Sequence, residues 1–98
     1  MDRNSVLLKL REHELELRAA GILRLSLFGS VARGDANEES DVDLMADFDK
    51  AKKLSLLGAV GLENKLTDIL GVKADLSQRE MLKPEVLKRA TREAVLVF

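Results

Sequence analysis

The chain has 98 residues, 34% charged and 46% hydrophobic, with a formal net charge of −1: enough for one domain and one core, and too evenly charged to hold nucleic acid by electrostatics alone. The absence of cysteine excludes disulfides and thiol chemistry, and 3% aromatics with no Trp or Tyr leave no base-stacking platform. No apolar run approaches the ~20 residues that cross a bilayer, so residues 1–98 read as a single cytoplasmic domain, off membranes and without direct nucleic-acid binding.

Asn4 or Ser5 can cap a first helix running to about Ala20, with Val6, Leu10, His13 and Leu17 on one stripe and Gly21 at its end. His13, the only histidine, belongs at the core edge, since no neighbour in sequence makes it a base or a ligand. Ile22 to Phe28 reads as a strand with Leu23, Leu25 and Leu27 on one side. It feeds Gly29-Ser30 and Val31-Ala32-Arg33, a tight turn opening a short helix. Backbone N–H groups at such a start have no helical partner and suit phosphate; the glycine permits close approach and the serine hydroxyl adds a donor.

A polar loop from Asp35 to Ser40 leads to Asp41-Val42-Asp43. On a strand this spacing puts both carboxylates on one face and Val42, Leu44, Ala46 and Phe48 on the other. Two carboxylates about 5 Å apart repel by about 3 kcal/mol at an effective dielectric near 20, and a hard divalent cation resolves the conflict. Oxygen-only ligands beside a phosphate-binding turn point to Mg²⁺ or Mn²⁺ rather than zinc. Asp47 shares their parity four residues past Asp43 and reads as a surface residue.

Ser55 can cap a helix through Leu70, with Leu62, Leu66, Ile69 and Leu70 buried and Gly71 as its stop. Gly58 and Gly61 within it imply either close packing or a break near the start. Val72 to Ser77 alternates as a half-buried strand, which turns Asp75 away from the core. Pro84 to Phe98 reads as a closing helix with Val86, Leu87, Ala90, Ala94 and Val97 at helical spacing. Lys83, Lys88, Arg89 and Arg92 make that end basic, a solvated face or a surface for nucleotide phosphates or an acidic partner.

Gly29-Ser30, ten intervening residues and Asp41-Val42-Asp43 resemble the signature of the DNA-polymerase-β-like nucleotidyltransferase superfamily, and the run GSVARGDANEESDVDL is similar to its minimal branch, the MNT proteins. GVKADL and LKRATREAVLVF resemble that family's third-carboxylate strand and closing helix, with Ala74 where a larger aliphatic is usual. The resemblance implies an α/β (α+β) nucleotidyltransferase fold, palm-like, with a small mixed β-sheet and helices mainly on one face. It implies Asp41, Asp43 and Asp75 as catalytic and metal-holding carboxylates for two Mg²⁺ ions, and Gly29, Ser30 and Arg33 as nucleotide-binding residues, Arg33 either reaching a phosphate or bracing the acidic loop. It also implies ATP as substrate and, as in MNT antitoxins, a HEPN-domain toxin as partner, AMP being placed on one of its tyrosines.

Two rivals stand beside this reading. One is an antitoxin that neutralises its toxin by covering it, against which stand three intact carboxylates that only a cation would keep together. The other is a transferase for a small molecule or an RNA end, against which stands the lack of a second domain to form an acceptor pocket.

Overall fold

The computed structural model describes residues 2–52 and 54–98. Four strands, β1 (Ile22–Phe28), β2 (Val42–Phe48), β3 (Ala74–Gln78) and β4 (Val95–Leu96), make one mixed sheet in the order β3-β2-β1-β4. β1 runs antiparallel to β2 and to β4, whereas β2 and β3 are parallel. A parallel pair needs a crossover, and α4 (Leu56–Leu70) supplies it. Helices α1 (Arg3–Glu12), α2 (Glu14–Ala19) and α4 enclose the core, where Val6, Leu10, Leu17 and Leu66 meet Leu25, Leu27 and Leu44 of the two central strands. Short α3 (Gly29–Arg33) follows β1, and α5 (Pro84–Glu93) flanks the face of the sheet that carries Asp43. The mixed sheet with helices mainly on one face agrees with the expected fold class. Among the described residues, no helix is long and apolar enough to cross a membrane.

Four local expectations need correction. The first helix is capped by Asp2, whose Oδ1 accepts the Ser5 N–H at 2.8 Å, and not by Asn4 or Ser5. It also breaks at His13, whose ψ of 16° ends α1; the ring Nδ1 lies 2.9 Å from the Lys9 carbonyl oxygen. In β1, Ile22 faces Phe48 but Arg24 already faces Asp47, an irregularity that buries Ile22 with Leu25 and Leu27 and leaves Leu23 52% exposed. The closing helix stops at Glu93: Ala94 takes an extended ψ of 138°, and Val95-Leu96 pairs with Ser26 and Leu27. β-Branched side chains fit that pleated edge, and Val97 is buried as strand continuation, its N–H donating to the Leu25 carbonyl at 2.8 Å.

α4 forms as expected, with Ser55 Oγ accepting the Gly58 N–H at 3.0 Å and Gly71 in the left-handed region at φ 75°. Neither reading of its glycines holds for both. The helix is unbroken; a Cβ at Gly58 would press on Leu54, while Gly61 faces open space.

Candidate active site

β1 delivers the chain to the Gly-Ser turn, and β2 carries Asp43 back beside it, so that Phe28 and Asp43 are register partners. On the other side of β2, Asp43 is paired with Asp75 of β3. The two aspartates thus stand on adjacent parallel strands at the mouth of the sheet, next to Gly29. Gly29 has φ 77°, and a Cβ there would overlap Asp43 Oδ2 and lie 3.0 Å from its Cγ, so only glycine lets the turn close over this carboxylate.

These groups line a cleft of about 510 Å³ between the sheet and α5. Gly29, Ser30, Arg33, Asp43 and Asp75, all expected at a site, are brought together here. Asp41 is not: it precedes β2, is exposed, and lies 3.9 Å from Lys73 Nζ. Among the described residues, no three carboxylate or imidazole side chains come close enough together to form a metal cage. Burial foremost, then the charges of Asp75 and Asp41, raise the Asp43 pKa above its ordinary value, with Arg33 pulling the other way. A half-buried carboxylate beside like charges, with only oxygen donors near it, has the chemistry of a hard-cation ligand set. The residues present fit Mg²⁺ or Mn²⁺ in donor type.

Arg33 is occupied by two carboxylates. Its Nε donates to Asp35 Oδ2 at 3.1 Å, which braces the acidic loop, and its Nη1 donates to Glu93 Oε1 at 3.0 Å. The second oxygen of Glu93 accepts the Gly29 N–H at 3.1 Å. Glu93 was invisible as a site residue in the sequence: it lies 64 positions from Gly29, in the last turn of α5, and nothing local marks it. Ser77 and Arg89 also line the cleft. Of the four basic residues near the end of the chain, only Arg89 does so; alternation along β3 after Asp75 would have found Ser77. His13 and Asp47 stand apart, Asp47 facing Arg79 at 3.7 Å beside a smaller depression of about 230 Å³.

A family model described as a nucleotidyltransferase domain matches residues 9–97. The protein adenylyltransferase MntA of Thermococcus cleftensis is 40% identical over 89 residues, covering 90% of this chain and 88% of that protein. MJ0126 of Methanocaldococcus jannaschii, assigned as a protein adenylyltransferase, is 33% identical over 88 residues, covering 89% and 88%. A solved structure assigned as a minimal nucleotidyltransferase superposes with a TM-score of 0.78 at 38% identity, covering 97% of this chain and 95% of that one. A crystal structure of a toxin–antitoxin with AMP-PNP shares the fold, with a TM-score of 0.73 at 19% identity over 100% of this chain and 73% of that one. The matched region contains the Gly-Ser turn, both cleft aspartates and the helix that walls them in, and the chain belongs to the nucleotidyltransferase domain family, in its minimal form.

Proposed function

We propose that this chain is a Mg²⁺-dependent protein adenylyltransferase that moves AMP from ATP to a hydroxyl of a partner protein, a tyrosine of a HEPN-domain toxin, and so acts as its antitoxin in the cytoplasm. The observation that carries this reading is the register pairing of Asp43 with Asp75 against the Gly29-Ser30 turn. Support comes from the adenylyltransferase relatives and from the toxin–antitoxin protein that shares the fold.

Asp43 and Asp75, together with Asp41 just before β2, are the residues that would hold two Mg²⁺ ions. Divalent ions in such a site offset charge on the triphosphate and lower the pKa of an acceptor hydroxyl. The chain's own residues orient the reactants. The Ser30 hydroxyl and the N–H groups after Gly29 hold the outer phosphates, while Arg33, fixed by Asp35 and Glu93, keeps the turn in place. The acceptor oxygen bonds to the α-phosphorus, the bond to the β-phosphate oxygen breaks, and pyrophosphate leaves; the acceptor's proton passes to solvent. Ser30 is assigned a phosphate contact and no covalent role, because among the described residues no side chain is hydrogen-bonded to its hydroxyl to activate it.

The test is the intact mass of the toxin after incubation with this chain, Mg²⁺ and each nucleoside triphosphate separately. The expected gain is one or more whole AMP groups, abolished by Asp41→Asn with Asp43→Asn. Masking without chemistry is the second reading, and exposed Leu56, Leu57 and Val60 at the start of α4 offer it an apolar surface. It becomes the better account if the mass is unchanged while the complex forms and toxicity is suppressed.

A further inference from the structure

Resting on that reading of the cleft, we infer that Arg89 is the side chain that receives the nucleotide's triphosphate. Among the described residues, the cleft is lined by the carboxylates Asp43, Asp75 and Glu93 and by two cations, Arg33 and Arg89. Arg33 is committed on both sides, to Asp35 and to Glu93. Among the described residues, no carboxylate lies within ion-pairing distance of exposed Arg89. A triphosphate entering a cleft with more carboxylates than guanidinium groups needs a cation from the protein besides any metal, and Arg89 is the one not already paired.

Its placement fits the task. Val86, Arg89, Ala90 and Glu93 recur at the spacing of one helical face, and that face of α5 forms the cleft wall. Arg89 lies one turn before Glu93, about 6 Å along the axis, and Glu93 touches the backbone of the Gly-Ser turn. An arginine side chain spans that distance, and its planar fork of N–H donors matches phosphate oxygens in pairs. Glu93 and Arg89 therefore divide the work on one helix face: the first holds the turn, the second meets what the turn binds.

The experiment is equilibrium binding of ATP and of AMP to the unmodified chain and to Arg89→Gln, Arg89→Lys and Lys88→Gln, with circular dichroism confirming the fold of each. Lys88 is exposed, does not line the cleft, and changes the net charge by the same amount. Arg89→Gln should weaken ATP binding by roughly ten-fold or more, the size of a lost charge-assisted contact, and AMP binding by less. Arg89→Lys should recover part of the loss, and Lys88→Gln should stay within about two-fold, the effect of a distant screened charge. Equal ATP affinity in Arg89→Gln and the unmodified chain overturns the inference, as does an equal loss in Lys88→Gln. No ATP binding by the unmodified chain overturns the adenylyltransferase reading and this inference with it.

Discussion

Asp43 occupies a position that costs the fold stability when its carboxylate is charged. Its carboxylate lies against the Cα of Gly29, faces Asp75 across the strand pair, and has its pKa raised by burial and by neighbouring charge. Because the folded-state pKa lies above the unfolded one, the folded chain binds a proton more readily between the two values. Stability therefore falls as pH rises through that window, and the full penalty applies above it. Asp43→Asn, in chelator at neutral pH, should stabilise the chain by on the order of 1 kcal/mol once solvent screening is discounted. The gap to the unmodified chain should close as pH falls into the ordinary carboxylate range, and Mg²⁺ should reverse the ranking by stabilising only the unmodified chain. Denaturant midpoints at several pH values check this, and a mutant less stable in chelator would refute it. Asp43 was legible because strand alternation after a Gly-Ser turn is a local signal; Asp75 was legible only through the family resemblance, and Asp41, expected beside Asp43, does not line the cleft. Glu93 was not, because its partners Gly29 and Arg33 are met only through the fold.

At the scale of elements, β3 carries Asp75 on the outer edge of the sheet, where unpaired N–H groups need partners. α4 provides them: Thr67 Oγ1 accepts the Ala74 N–H at 3.0 Å, and Glu63 Oε2 accepts the Leu76 N–H at 2.9 Å. These two bonds flank Asp75 and fix the strand that presents it. Replacing Thr67 with Val together with Glu63→Leu should cost about 1–3 kcal/mol and speed amide exchange at Ala74 and Leu76, while exchange in β1 changes only with global stability. Unchanged exchange at both amides would show that the edge does not depend on α4. The helix itself was legible from Ser55 and Gly71, since caps are written in neighbouring residues. Its grip on β3 was not, because Glu63 and Thr67 look like an ordinary polar face until the crossover folds back. The closing segment shows the opposite failure: Ala94 and Val97 keep helical spacing, yet pairing with β1 overrides the period after Glu93.

Across the whole molecule, the last residues lie against the first helix. Arg11 Nε donates to the Val97 carbonyl at 2.9 Å and its Nη2 to the Leu96 carbonyl at 3.0 Å, while the Arg18 guanidinium stands 4.7 Å from the centre of the Phe98 ring. β4 is only two residues long and has one strand neighbour, so these contacts determine how firmly it stays on β1. That matters for the cleft, because a single residue, Ala94, separates β4 from Glu93 and the wall of α5. A change in α1, remote from the aspartates, should therefore reach the nucleotide through the C-terminal strand. Arg11→Ala should lower stability by about 1–3 kcal/mol through loss of two charge-assisted hydrogen bonds. It should also speed exchange at the Val97 amide, which donates to Leu25, and weaken ATP binding less than Arg89→Gln does. Loss of stability with no change in exchange at Val97 would mean that Arg11 acts through its own helix, and the link from α1 to the cleft would fail.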